Sequence, residues 1–527
     1  MRPPILYLTV AFGVGLGAGL DPVVFPGAVL WGVVLPLIAA AACLAARAPL
    51  GAAVGIMGVA GLLWGTAAVR ERDATCNGRW TAGVTAREGQ TRAAIVRLGD
   101  PAPAQGGIVD AEVIPGGCAG SVRLRWPEGT SARGGTTWVV AGKWSGLLVV
   151  RRVRALDLVP HGRGALRDAL AARSTELFGT RAPIVNALVF APNARLDSDI
   201  RERYVRSGLA HLLSISGLHV GFMAAWLALI LGKLRLAARA RFGATAVLLL
   251  GYLWLLGFPA PAVRAGAMLV LADVARLRER VVAPRGVVAL AALGVLVQDP
   301  WALQSVGAWL SVAGVGAVVW AGRAFARAPC LARLAAPALV ATLVTAPISA
   351  FAFGTVAPIG VLANLIAIPL AGVAVPGLVM ALSLSWLGSG LAHLIAAGAG
   401  LGLALLDLVA QGAALVPGGH VVMAAGWQAG LLWAAVAAAA WWLWNSPRRP
   451  WLMAARLAFC ATLVVATSFR DVASLDACRC LTVHFLDVGQ GDAAALRTPN
   501  GRWIVIDGGP RTPERDAGRR VVVPFLR

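Results

Sequence analysis

Long apolar runs recur along this chain from end to end, and they constrain its fold more than any other feature. A helix needs roughly 17–25 apolar residues to cross about 30 Å of hydrocarbon. Candidate spans fall near 5–20, 23–46, 48–69, 208–231, 242–258, 261–275, 286–298, 303–321, 334–353, 358–387, 391–416, 421–444 and 451–469. The shorter ones also suit a buried or re-entrant helix. Together they predict a polytopic α-helical membrane protein of about 11–13 spans. Only Arg2 precedes the first run, and no Ala-x-Ala-like site separates it from the next. It therefore reads as a span, not as a cleaved leader.

Composition enters here because the charge needs a place. The 527 residues carry 47 Lys and Arg against 25 Asp and Glu, a formal net charge of +22. Such an excess alone suggests a nucleic-acid binder. Yet 58% of residues are hydrophobic, only 14% are charged, and mean hydropathy is +0.74. Those values exclude a disordered chain or an ordinary cytosolic enzyme. Every second short connection is basic: Arg2; Arg47; Lys233, Arg235, Arg239 and Arg241; Arg276, Arg278, Arg280 and Arg285; Arg323, Arg327 and Arg333; Arg448, Arg449 and Arg456. The alternate connections, around Asp21, Pro259, Asp299, Gly354 and Gly418, hold no Lys or Arg. The positive-inside rule then puts the N-terminus in the cytoplasm and the polar segments 70–207 and 470–527 outside. The connection near Gly388 is the one inner loop without charge. The basic connections hold 16 Lys and Arg against one acid, Glu279, so most of the excess reports topology.

Five regions follow: N-terminal spans (1–69), an outer β domain (70–160), interfacial helices (161–207), a helical membrane domain (208–470) and a C-terminal segment (471–527). In the β domain, short strand-like runs at Val84, Ala94–Val96, Ile108–Val113, Val122–Trp126, Thr137–Val140 and Leu147–Val153 are punctuated by Gly and Pro. Five or six such strands in a short module suit a small barrel, with an OB-fold leading. Arg123, Arg125, Trp126, Trp138, Lys143 and Trp144 interleave cations with aromatics, a pattern that can track a nucleic-acid backbone and stack bases. Tryptophan at alternating strand positions is more often core. Cys76 and Cys118 fall in the same module and suit a disulfide in an oxidising compartment, whereas Cys478 and Cys480 are too close for an easy mutual bond. Cys43, Cys330 and Cys460 read as small hydrophobes. Between 161 and 205, arginines alternate with apolar residues, as in a helix lying on a bilayer or in a plain packing helix.

Polar residues inside the membrane domain mark function, because burying them in hydrocarbon is costly. The densest group is His211, Ser214, Ser216, Gly217, His219 and Gly221, whose Gly217-xxx-Gly221 spacing allows close helix approach. No acid completes a triad or metal set there, so pore lining or tight packing is expected. Arg264 stands near the start of a span, facing a water-filled cavity or phosphates, or snorkelling to the interface. Pro358, Asn364, Pro369 and Pro376 are expected to break a long helix. Asp273 and Asp407 are weaker candidates.

From Leu481 the pattern is strand, the turn Asp487-Val-Gly-Gln-Gly-Asp492, strand, turn, strand, and then Asp507-Gly508-Gly509. A hairpin ending in Asp-Gly-Gly resembles the opening of a metallo-β-lactamase fold. With "FLDVGQGDAAALRTPNGRWIVIDGG", "HLLSISGLHVGF", "PAPAVRAGAML", "DPWALQSVGAWLSVAGVGAV" and "NLIAIPL" in order, the chain resembles the ComEC family of competence DNA-internalisation channels over nearly its whole length. The resemblance implies passage of single-stranded DNA through the bacterial inner membrane during natural transformation. It also implies a DNA-engaging OB-like domain and a lactamase-like domain that degrades the other strand with a divalent metal, Zn or Mn. A DNA receptor and a cytoplasmic DNA-translocating ATPase are the partners it suggests. Asp507 matches the first lactamase motif, and Asp487 and Asp492 match the strand-turn signature. The His-x-His-x-Asp-His run that supplies metal ligands is absent before Arg527. The expectation is thus a lactamase-like domain truncated here, with no metal, no other cofactor and no hydrolysis in this chain. The competing readings are a membrane-anchored hydrolase or nuclease whose catalytic part lies elsewhere, and a small-solute transporter. No Gly-x-x-x-x-Gly-Lys-Ser/Thr loop supports ATP use by the chain itself.

Overall fold

The computed structural model describes residues 4–20, 36, 49–82, 90–102, 104, 106–114, 118, 120–190, 196–278, 284–388, 390–423, 425–445, 480–488, 491–509 and 517–526. The expected spans 23–46 (apart from Pro36) and 451–469 lie outside these residues. Six of the described helices are long and apolar enough to cross a membrane: Pro49–Ala74, Ala238–Leu256, Val306–Ala324, Cys330–Phe353, Gly360–Leu387 and Gly390–Ala414. Shorter apolar helices cover Pro4–Leu20, Gly217–Lys233 and Val288–Gln298. The chain forms two compact units. One comprises Met1–Ala194, Ile215–Ala308 and Val375–Gly400, and the other Arg195–Ser214, Trp309–Ala374 and Leu401–Arg527.

In the first unit, α1 (Pro4–Leu20) and α2 (Pro49–Ala74) pack backbone to backbone. Glycines make this approach possible, since a methyl group at Gly61 would overlap the Phe12 carbonyl and one at Gly15 would overlap the Gly58 carbonyl. Between membrane helices, where apolar burial offers no net drive, such close van der Waals contact is the main adhesive. Phe12, Leu16, Leu20 and Ala68 fill the space beside the glycine seam.

The β domain is a closed five-stranded barrel in the order β1-β2-β3-β5-β4. Its strands are β1 (Gln90–Leu98), β2 (Gly107–Val113), β3 (Gly120–Trp126), β4 (Thr137–Trp144) and β5 (Leu148–Asp157). All pairings are antiparallel except β3 with β5, which run parallel at Leu124↔Leu148 and Arg125↔Val149. Closure follows from strict alternation. Val109, Ala111 and Val113 point inward on β2 and Val122, Leu124 and Trp126 on β3, with exposed or half-buried residues between them. The ring of Trp126 meets Trp138 edge to face at 5.3 Å, and Trp80 meets Trp144 at 5.1 Å. The Cys76–Cys118 disulfide ties the helix Cys76–Ala82 to the barrel. Cys480, in the C-terminal segment, is disulfide-bonded as well.

The membrane helices of the first unit include α5 (Gly217–Lys233), α6 (Ala238–Leu256) and α7 (Ala260–Leu277), reached from the barrel through α3 (Gly162–Phe178). The second unit begins with α4 (Ser198–Arg206) and contains most of α8 (Val306–Ala324), then α9 (Cys330–Phe353) and α12 (Trp427–Asn445). Ala346 and Ala350 of α9 pack against Ala429 and Trp433 of α12. The long helices α10 (Gly360–Leu384) and α11 (Gly390–Ala414) contribute to both units. The C-terminal segment is a three-stranded antiparallel sheet of β6 (Thr482–Phe485), β7 (Ala494–Arg497) and β8 (Trp503–Ile506), with β7 in the middle.

Two expectations are corrected. The apolar stretch 358–387 does not break at its prolines: Pro358 precedes the first turn of α10, but the helix runs on through Pro369 and Pro376. Proline removes one backbone bond, and neighbouring helices tolerate that loss inside a membrane protein. Conversely, 208–231 is not one span. A short helix, Ala210–Leu213, is followed by extended backbone at Ser214 and Ser216, and α5 starts at Gly217.

Candidate functional site

The barrel's outer surface is sorted by its strand register. Arg123 on β3 lies opposite Asp110 on β2, and Arg97 on β1 opposite Glu112, so these cations face acids across the strands. Strand β5 differs. Its register slips between Ala141 and Gly142 of β4, which leaves Arg151 as the extra residue of a bulge. A bulge lets two consecutive side chains turn outward, and Arg151 and Arg152 are both exposed, with Arg154 beyond them. Their cross-strand neighbours are Ala141 for Arg152 and Val139 for Arg154, neither of them an acid. Lys143 and Arg125 both flank Val149, extending the same basic face across β4, β5 and β3. Sequence reasoning missed the β5 arginines; an Arg-Arg pair inside an alternating strand was the available signal for a bulge.

Trp126 and Trp144 are both 1% exposed and sit in the barrel core. The Trp126 indole N–H donates to the Thr130 carbonyl at 2.8 Å. Neither ring offers a face to a nucleic-acid strand lying over the barrel, so of the two readings, stacking and core, these rings take the core one.

The barrel is joined to the membrane helices through α3. Arg167, 5% exposed, donates to the Asp100 carboxylate on the β1–β2 loop at 2.5 Å and to the Leu255 carbonyl near the end of α6 at 2.8 Å. One turn earlier, the Arg163 guanidinium lies beside Gly257, the left-handed residue that ends α6. Two cations at a helix C-terminus complement its dipole. Phe258, next in the chain, also adopts a positive φ of 55°, a costly state for a bulky residue. Burial draws the Arg167 guanidinium below its ordinary value, and the Asp100 charge opposes that shift. Close by, the Asp157 carboxyl is held below the usual carboxylate range by the Val159 backbone N–H and then by the His161 ring. Nothing in the sequence marked Arg167 and Asp100 as partners.

The polar group around 211–221 resolves into separate roles. His211 and Ser214 are exposed, and Ser214 donates to the His211 carbonyl at 3.4 Å. Ser216 is the N-cap residue of α5, its backbone N–H donating to Nδ1 of His219 at 3.3 Å, and His219 is 1% exposed. The imidazole thus serves as an N-terminal cap, satisfying a donor that an α-helix leaves open. Gly217 is where α5 meets α7, since a Cβ there would stand 3.0 Å from that of Ala265. Gly221 has open space around it, so close packing rests on Gly217 alone.

Arg264, in the second turn of α7, is 3% exposed and donates to the Gly307 carbonyl at 3.4 Å. Its side chain is held inward and does not snorkel to the interface. Asn364 on α10 is half-buried, and its side-chain carbonyl has no hydrogen-bond partner among the described residues. Asp273 pairs with Arg276 at 2.9 Å. Asp407 on α11 accepts from Arg203 at 3.0 Å and from Gln411 at 2.8 Å. The Tyr204 phenol beside this group is fully buried, and burial, then the Asp407 charge, pushes its pKa up.

In the C-terminal sheet, Asp507 has a φ of 60° and its carboxylate accepts from the Gly508 and Gly509 N–H groups at 2.6 and 3.1 Å. This is an Asx turn, which aspartate makes at little cost in the left-handed region. Asp487 and Asp492 are exposed. Among the described residues, no three His, Cys, Asp or Glu side chains gather as a metal site requires.

Residues 188–448 match the family model described as Competence protein. Among curated proteins, the chain is 27% identical over 342 residues to the uncharacterized protein YcaI of Escherichia coli (strain K12), covering 61% of this chain and 43% of that protein. It is 39% identical over 147 residues to the competence protein ComA of Neisseria gonorrhoeae, covering 26% of this chain and 21% of that one. The matches thus span less than half the length of these relatives. No solved structure matches the chain. The sequence motifs and the matched helical core agree: the chain belongs to the ComEC family of competence proteins.

Proposed function

We propose that this competence-family protein is an inner-membrane channel for single-stranded DNA during natural transformation. The observation that carries the reading is the family match over residues 188–448, which covers the helical core and its polar residues. The barrel supports it. Its strand order, with β3 parallel to β5, is that expected of an OB-like domain, and the bulged arginine face suits a phosphate backbone. The three-stranded sheet ending in Asp507 is read as the start of a lactamase-like module.

In this reading the full chain has about 11–13 spans, the N-terminus is cytoplasmic, and the barrel and C-terminal segment lie outside. Two features favour that orientation. Disulfides persist on the oxidising side of a bacterial membrane, and disulfide-bonded cysteines occur in both the barrel and the C-terminal segment. The basic connections mark the opposite side. DNA reaches the outer arginine face first, then the helical core, where Arg264 provides a buried cation near the strand's path. A surface DNA receptor and a cytoplasmic translocating ATPase are the partners this role calls for.

Complementation tests the proposal. The native host deleted for this gene should lose transformability and regain it with the wild-type chain. Unchanged transformation in the deletion strain would overturn it.

A further inference from the structure

One end of the second unit gathers aromatic and basic side chains. Gly430 of α12 backs onto Phe351 and Pro347 of α9, so the start of α12 meets the end of α9 and the two helices run antiparallel. The C-terminal turns of α12 therefore lie at the end where α8 finishes and α9 begins. Ring contacts agree: Trp320 of α8 stands 5.2 Å from Trp441 of α12, and Phe325, just past α8, stands 4.6 Å from Trp444. Trp320 and Phe325 are 6.5 Å apart, which closes the cluster. These rings are not sealed away, since Trp441 is 54% and Trp444 53% exposed. Arg323 and Arg327 flank them on the chain and are exposed. The segments 306–353 and 427–445 contain no Asp or Glu, so no acid on α8, α9 or α12 opposes these arginines.

We propose that this end of the unit binds an anionic phospholipid headgroup, with the phosphate on Arg323 and Arg327 and the four rings at the glycerol level. Indole rings favour the membrane–water interface because one edge is polar and the rest is not. A guanidinium presents a planar donor fork that matches phosphate oxygens. A cluster of tilted and edge-on rings beside two arginines whose own helices carry no acid therefore suits a lipid with a negative headgroup better than a zwitterionic one. The site depends only on the membrane location of these helices, so it stands or falls apart from DNA transport.

The test uses the full chain purified in neutral detergent. Short-chain phosphatidylglycerol, phosphatidylcholine and inorganic phosphate are added separately, and retained lipid is counted by native mass spectrometry. Phosphatidylglycerol should be retained selectively, and the Arg323→Gln/Arg327→Gln variant should bind it on the order of 30-fold more weakly. The Arg239→Gln/Arg241→Gln variant removes two exposed arginines elsewhere and should bind as wild type. A Trp441→Leu/Trp444→Leu variant that keeps the arginines should bind phosphatidylglycerol more weakly while still preferring it to phosphatidylcholine. Equal retention of phosphatidylcholine, or an unchanged affinity in the Arg323/Arg327 variant, would overturn the proposal. So would an equal loss in the Arg239/Arg241 variant, which would indicate diffuse charge attraction. Binding of inorganic phosphate as tight as that of phosphatidylglycerol would make this a free-phosphate site and equally refute the lipid assignment.

Discussion

Replacing Arg167 by Met should uncouple the barrel from the membrane helices without unfolding either. The guanidinium makes two charged hydrogen bonds, to Asp100 and to the Leu255 carbonyl, each worth roughly 1.5–3 kcal/mol. Arg167 and Asp100 are both shielded, with side-chain exposures of 5% and 17%. Removing one member of such a pair strands the other, and the expected cost is about 3–5 kcal/mol. Asp100→Asn retains the size of its side chain but loses its charge, so it should cost less. The double variant should recover part of the loss, with a coupling of about 1–3 kcal/mol in a cycle of unfolding free energies. Denaturant unfolding of the four proteins in one detergent supplies the numbers. Limited proteolysis between β5 and α3 supplies the local readout, with faster cleavage expected in both single variants. If the two single effects simply add, with coupling under about 0.5 kcal/mol, Arg167 and Asp100 do not act as a unit and the junction argument fails.

Other consequences follow from the same contacts. Gly61→Val should separate α1 from α2, because the added atoms overlap the Phe12 carbonyl; cysteine cross-linking between the helices should fall sharply, whereas Gly221→Ala should leave packing unchanged. The Cys76–Cys118 bond closes a separation of 42 residues. Reducing it should lower barrel stability by up to about 4 kcal/mol, seen as an earlier denaturation midpoint. Trp126→Ala should cost about 3–5 kcal/mol of stability through a core cavity, whereas Arg151→Gln/Arg152→Gln should leave stability intact. That second variant should weaken oligonucleotide binding and reduce its salt dependence by a slope of roughly 0.7 per lost phosphate contact; an unchanged slope would remove the β5 face from the DNA path. Arg264→Ala should reduce DNA entry while surface binding is retained, and equal loss of both would argue against a role inside the membrane.

The sequence made local order legible and long-range order much less so. The barrel strands could be read because alternation such as Val109, Ala111, Val113 is imposed by the pleat and needs no knowledge of partners. Long spans were readable for the same reason, since length and hydropathy are local quantities. Pro369 and Pro376 misled because their cost depends on neighbouring helices, which a single run of residues does not reveal. The Gly217-xxx-Gly221 spacing was half right: only the first glycine points at another helix, and helical phase relative to α7 decides that. His219 was expected in pore lining or tight packing, and its burial comes with a local cap on Ser216 that the spacing alone did not announce. Arg167 and Asp100 lie 67 residues apart, and no spacing rule links a loop of a barrel to a distant helix. The tryptophans of β3 and β4 were expected at the surface or in the core, and the inward phase of Trp126 beside Leu124 settles the choice.

The most direct test follows labelled duplex DNA into cells. In a strain carrying the wild-type chain, label should enter the cytoplasm as a single strand protected from external nuclease. In the deletion strain it should stay at the surface, bound but nuclease-sensitive. Equal amounts of protected single strand in the two strains would contradict the channel account.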